Sequence, residues 1–119
     1  MSDIERRRPR DNPRMSQIVK HDGRVYLAGL VARGAPRGTM AEQTADILRQ
    51  IDEMLAEAGT TTAKLLTAQI WLTDIREFAA MNGVWNGWID LNGAPARACV
   101  EARLASPDFA IEIMVTAAV

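Results

Sequence analysis

The densest chemistry in the sequence lies in Pro95-Ala96-Arg97-Ala98-Cys99-Val100-Glu101-Ala102-Arg103-Leu104. In a strand, successive side chains point to opposite faces. Arg97, Cys99, Glu101 and Arg103 then share one face, and Ala98, Val100, Ala102 and Leu104 share the other. The first set offers two permanently charged planar forks, suited to a two-point grip on a carboxylate, beside a thiol and an acid. The plainer alternative is a row of surface ion pairs, Arg97–Glu101 and Glu101–Arg103, each worth under ~1 kcal/mol. Spacing alone leaves both readings open.

Other reactive groups are sparse. There is no glycine-rich phosphate loop, no dinucleotide fingerprint and no His-Glu-x-x-His. No tight carboxylate cluster suits a two-metal site, so neither metal nor cofactor is expected. His21 is the one histidine and falls beside Asp22 in an expected turn. A lone histidine cannot form the paired acid/base couple that a metal-free ribonuclease needs. Cys99 is the one cysteine, which excludes an internal disulfide or a cysteine-based zinc site and makes a reducing, cytoplasmic setting the default.

The net charge of −1 is unevenly spread: residues 1–24 hold seven Arg or Lys against four acids. Arg6, Arg7, Arg8, Arg10 and Arg14 mark residues 1–14 as a flexible basic arm, held open by Pro9 and Pro13. Such an arm can touch nucleic acid, but the acidic remainder offers no face that tracks phosphates. No apolar run approaches the ~20 residues of a membrane span, and the N-terminal segment lacks the apolar stretch of a signal peptide. No membrane association is expected.

Residues 15–119 read as one domain that must position the arginine-bearing strand. Ser16–Lys20 and Val25–Val31 are β-prone runs around Asp22-Gly23, a tight-hairpin signal. Thr39 and Glu42 have capping-box spacing ahead of a helix over Met40–Ala58, which Gly59 ends. Its apolar stripe is Thr44, Ile47, Leu48, Ile51, Met54, Leu55 and Ala58. Leu66–Thr73 alternates as a strand, with Leu66, Ala68, Ile70 and Leu72 turned toward a helix layer. Asp74 and Glu77 open a second helix by the same capping logic, carrying Ile75, Phe78, Met81, Trp85 and Trp88 on one side. Strands over Ala96–Leu104 and Ala110–Ala117 complete a β-β-α-β-α-β-β order.

That order predicts an α+β fold: a mixed sheet with two helices on one face. The uncovered face, carrying Cys99 or Trp71, then needs water or another subunit, and an apolar open face argues for an oligomer. Trp85 and Trp88 read as helix–sheet core.

The run Pro95 to Glu101, with Leu104 and then Ile111-Glu112-Ile113, resembles the signature of the YjgF/RidA family of reactive intermediate deaminases. Some of its members carry the label endoribonuclease L-PSP. The resemblance extends from about residue 14 to 119. It takes in Tyr26-Leu27-Ala28-Gly29, the helix ending at Gly59 and Phe78-Ala79-Ala80-Met81-Asn82. It implies a chorismate-mutase-like fold and a homotrimer with ligand clefts between subunits. For active members it implies cofactor-free hydrolysis of 2-enamines and 2-imines to 2-keto acids and ammonia.

Carried over residue by residue, the resemblance makes Arg97 the clamp for the substrate carboxylate. Cys99 lines the same pocket, Gly29 is the strand-end glycine and Asn82 is a helix asparagine near the cleft. Three positions depart from the pattern. Met15 stands where deaminase members carry tyrosine, and Ala28 where they carry a small hydroxyl residue. Met114, two residues past Glu112, stands at the position the resemblance gives to the water-positioning acid. A thioether can neither give nor take a proton, and a positioned acid/base is worth ~10²–10⁴-fold. The expected function is therefore binding of a small 2-imino or 2-keto acid in an inter-subunit cleft, with hydrolysis impaired. The alternative is an active deaminase using Glu112, which shares a strand face with Met114 but matches a structural glutamate of the family. A third reading, an RNA-acting protein, is disfavoured by the single histidine and the acidic body.

Overall fold

The computed structural model describes residues 3–7 and 12–119, and its first element is a short strand, β1 (Glu5–Arg7). β1 pairs antiparallel with β2 (Ile18–His21), and the Arg7 guanidinium donates to the Glu57 carbonyl at 3.0 Å. The expected loose arm over residues 1–14 thus contains a paired strand, because the sheet edge at β2 offers it backbone partners. Arg8 and Arg10 lie outside the described residues.

β2 and β3 (Arg24–Leu27) form the expected hairpin. Asp22 and Gly23 both take left-handed φ, 55° and 77°, the backbone that a two-residue turn requires. His21 is the last residue of β2, paired with Arg24, and not part of the turn. The run expected to continue to Val31 breaks at Ala28-Gly29, and Leu30–Val31 forms a separate strand, β4, that pairs with β7 (Ile111–Ala118).

Helix α1 (Met40–Ala58) begins with a complete capping box. The Thr39 amide donates to Glu42 Oε1 at 2.8 Å, and the Glu42 amide donates to Thr39 Oγ1 at 3.1 Å. Gly59 ends the helix at φ 87°. Thr44, the polar member of the apolar stripe, is buried because its hydroxyl donates to the Met40 carbonyl at 2.7 Å. Met54 is only partly buried.

β5 (Leu65–Leu72) carries a bulge between Leu65 and Thr67 where it pairs with β7. The bulge turns Leu65 inward and leaves Leu66 exposed, reversing the expectation for that residue. The second helix also starts later than expected. The Asp74 carboxylate accepts from the Arg76 amide at 3.0 Å and opens a 3-10 turn, Ile75–Glu77. α2 (Phe78–Trp88) follows with no side-chain cap from Glu77. Of its expected apolar side, Met81 and Trp85 are buried, whereas Ile75 and Phe78 are exposed.

β6 (Ala96–Glu101) is shorter than expected and lies at the sheet edge, parallel to β5. The strand order is β1-β2-β3-β7-β5-β6, with β4 beside β7, and the other pairings are antiparallel. Both helices cover one face. Ile18, Leu27, Ile70, Leu72, Ile111, Ile113 and Val115 meet Ile47, Ile51, Leu55 and Met81 there in one core. Among the described residues, no helix is long and apolar enough to cross a membrane.

Candidate functional site

The register of β6 on β5 decides where the arginine-bearing face points. Arg97 pairs with Ala68, Cys99 with Ile70 and Glu101 with Leu72, and those three β5 residues all face the helix layer. Arg97, Cys99 and Glu101 therefore lie on the helix-covered side, not on the open face as expected. Ala98 and Val100, expected under the helices, are exposed on the other side. Alternation identified the two sets correctly. The phase is set by the neighbouring strand, and both sets have small or apolar members.

On the helix side, Arg97 extends along α2. Its guanidinium carbon lies 5.0 Å from the Trp85 ring centroid and 5.8 Å from that of Phe78, and Nη1 is 4.0 Å from Met81 Sδ. Among the described residues no acid pairs with it, which removes the Arg97–Glu101 ion pair of the plainer alternative. Glu101 Oε1 instead accepts from the Ile75 amide at 2.9 Å, fixing the entry to α2. Cys99 is half-buried; burial pushes its thiol pKa up, and the charge of Arg97 only partly offsets this. A thiol held protonated is a poor nucleophile, so Cys99 is a wall of this region. Asn82, one turn beyond Phe78, keeps a buried Oδ1 with no hydrogen-bond partner.

The open face holds the other expected residues. β7 alternates strictly, so Ile111, Ile113 and Val115 go into the core while Glu112, Met114 and Thr116 point away from it. Glu112 is half-buried, and burial raises its carboxyl pKa above the ordinary value. No hydrogen bond or ion pair engages that carboxyl among the described residues. It rests directly on Gly29: a Cβ built there would overlap Glu112 Oε2 and come within 3.2 Å of Cδ. Gly29 is needed for this close approach and not for a left-handed φ. Ala28 precedes it, half-buried, and Met15 is half-buried ahead of β2. Met114 is 42% exposed and borders a shallow hollow of about 410 Å³ at the β6 edge, together with Thr67, Gln69, Arg97, Ala98 and Thr116.

Arg103 lies beyond the end of β6, so it joins neither group. With Arg37, Gln43, Thr73 and Ser106 it lines a hollow of about 590 Å³ past the ends of β5 and β6, which neither Arg97 nor Glu112 lines. Among the described residues no group of three His, Cys, Asp or Glu stands close enough to hold a metal ion.

Two features were not read from the sequence as parts of a site. One is the contact of Arg97 with Phe78, Met81 and Trp85, signalled only by their i, i+3, i+7 spacing, which a core stripe shares. The other is the Gly29–Glu112 contact, which depends on β4 pairing with β7.

Comparison with known proteins places these residues in a lineage. A family model described as Endoribonuclease L-PSP matches residues 5–119. The chain belongs to the YjgF/RidA family. A RutC family protein of Haemophilus influenzae is 38% identical over 104 residues, spanning 87% of this chain and 90% of the relative. The RutC family protein YoaB of Escherichia coli K12 is 38% identical over 109 residues, spanning 89% and 91%. The crystal structure of a YjgF family member from Neisseria meningitidis matches with a TM-score of 0.91 at 46% identity, covering 98% of this chain and 94% of that one. The sheet and two helices described above are this family's fold.

Proposed function

We propose that this family member is a homotrimer that binds a small 2-imino acid in clefts between subunits and hydrolyses it to a 2-keto acid and ammonia. The observation that carries this reading is the state of Glu112: a half-buried, unpaired carboxyl resting on Gly29, with its pKa raised by burial. Imine hydrolysis requires an acid/base group placed to move a proton, and burial favours the protonated form of this carboxyl.

The opposite orientations of Arg97 and Glu112 support the oligomer. Their side chains leave opposite faces of one sheet, so a single chain does not aim both at one small ligand. Two copies can, when the β6 edge of one meets the open face of the next. The exposed Val100 and Met114 on that face favour such burial.

In such a cleft the Arg97 fork grips the ligand carboxylate through two parallel N–H donors. Protonated Glu112 gives its proton to the imine nitrogen, and the resulting carboxylate takes a proton from water as its oxygen bonds to the imine carbon. The restored Glu112 acid then protonates the amine nitrogen of this carbinolamine, the C–N bond breaks with loss of ammonia, and the hydroxyl proton returns to the carboxylate, so imine plus water become 2-keto acid plus ammonia. Met114 takes no part in this scheme. It favours a second reading, in which the same cleft binds a carboxylate without hydrolysing it.

A dehydratase that generates 2-aminoacrylate supplies the assay. The expected result is pyruvate and ammonia release above the spontaneous rate, lost in Arg97→Ala, from a particle whose sedimentation mass equals three chains. Pyruvate binding with no acceleration of release would favour the second reading.

A further inference from the structure

Arg97 takes its structural partners from aromatic rings. Phe78, Met81 and Trp85 recur along one stripe of α2, and all three touch or face the guanidinium. Trp85 is only 5% exposed, and its position is fixed from behind. Its ring meets Trp88 edge-on, with centroids 5.3 Å apart at 60°, and Trp88 Nε1 donates to Asp52 Oδ1 of α1 at 3.0 Å. The chain of contacts from Arg97 through Trp85 and Trp88 thus ends on the other helix.

A ring and a carboxylate hold an arginine differently. An aromatic face attracts the charge through its quadrupole, but it does not occupy the in-plane N–H fork. A protein carboxylate in the same place would fill the fork and compete with any ligand acid. The surroundings of Arg97 therefore restrain the cation with no carboxylate in its fork among the described residues, and Nη1 makes only a long contact, 4.0 Å, to Met81 Sδ.

We propose that Trp85 and Phe78 form an aromatic seat that positions the Arg97 guanidinium for the ligand's carboxylate, an inference that rests on the carboxylate-binding reading above. They are positioning residues: they act through Arg97 and need not touch the ligand. A lysine at position 97 keeps the charge over the rings but lacks the planar fork that the ligand carboxylate would engage.

The test titrates pyruvate into the intact protein by calorimetry and repeats the aminoacrylate kinetics with Trp85→Leu, Trp85→Phe and Phe78→Leu. Phe78 is 39% exposed, so its replacement keeps the core and serves where Trp85→Leu folds poorly. Losing a cation–π contact of this kind is expected to weaken pyruvate binding and raise KM by about 2- to 30-fold. The change in kcat should stay under about twofold, because the seat acts on binding and not on proton transfer. Trp85→Phe should restore most of the affinity. In the ligand-free protein, Arg97→Met should alter the emission that Trp85→Phe removes.

Folded Trp85→Leu and Phe78→Leu proteins with unchanged pyruvate affinity would overturn the seat while leaving the cleft intact. A loss confined to kcat would overturn it as well. Failure of the unaltered protein to bind pyruvate would instead overturn the carboxylate-binding reading, and the seat with it.

Discussion

Replacing Gly29 by alanine tests whether Glu112 works from its observed position. A methyl group at residue 29 overlaps Glu112 Oε2 and lies 3.2 Å from Cδ and 3.5 Å from Cγ, so the carboxyl has to swing away. The group that must move is the far end of a flexible side chain. The cost to the fold should therefore sit at the low end for overpacking, about 1 kcal/mol, or roughly 4 °C in Tm. Activity should fall much further. If the Glu112 carboxyl supplies the proton transfers, moving it forfeits up to the ~10²–10⁴-fold that a positioned acid/base provides, or about 3–5 kcal/mol of barrier. Arg97 lies on the opposite sheet face, so KM should change little. The deciding measurement is a double-mutant cycle on kcat with Glu112→Ala. Once the carboxyl is gone the methyl has room, and Gly29→Ala should cost almost nothing more. Equal losses from Gly29→Ala in both backgrounds, or full kcat in Gly29→Ala alone, would refute the assignment.

Two further outcomes follow from the hydrogen bonds and burial. Thr39→Ala removes the side-chain acceptor for the Glu42 amide and should lower stability by about 1 kcal/mol, read from urea midpoints, with pyruvate affinity unchanged. Glu112→Gln should change how stability depends on pH. Burial raises the folded carboxyl above its ordinary value of 4.5, so the native state favours the protonated form. That contribution is complete below 4.5 and is lost as pH rises through the raised folded value. Urea midpoints of the glutamine variant should therefore gain on the native protein from acid toward neutral pH. A constant difference across that range would contradict the burial of this carboxyl.

The elements were legible in the sequence wherever a local signal set them. Asp22-Gly23 has the backbone freedom of its turn, Thr39 and Glu42 satisfy each other within four residues, and Gly59 stops α1 by its left-handed φ. Non-local pairing set what was missed. Leu66 points outward because pairing with β7 places a bulge between Leu65 and Thr67, and the Ala28-Gly29 break falls where the register on β7 shifts, from Tyr26–Thr116 in β3 to Leu30–Ile113 in β4. β1 forms because β2 presents an edge, although its own sequence, Glu5-Arg6-Arg7, has no strand pattern. The site followed the same division. Arg97, Gly29 and Glu112 were named from the signature, while their faces and neighbours depended on register.

The misassigned face of β6 has a physical consequence. Small apolar residues at Ala98 and Val100 were expected beneath helices, yet they line the open face, and the charged Arg97 runs along α2. On the oligomeric reading proposed above, that arrangement suits a contact between copies. It exposes Val100 and Met114 to water, presents the unpaired backbone of an edge strand and leaves Arg97 and Glu112 without ionic partners among the described residues. Each feature is a defect in one copy and an asset between two. Apolar exposure drives the contact, the small side chains of Ala96 and Ala98 allow backbones to approach closely, and an unpaired arginine can meet a ligand shared with another copy's unpaired glutamate. Apposition also removes water from around Arg97, which strengthens its attraction for a bound carboxylate. The same desolvation that raises the Glu112 pKa in one chain would deepen on assembly, so proton transfer and oligomerisation should be coupled. Dilution into monomers should then reduce kcat per chain and not only the apparent affinity.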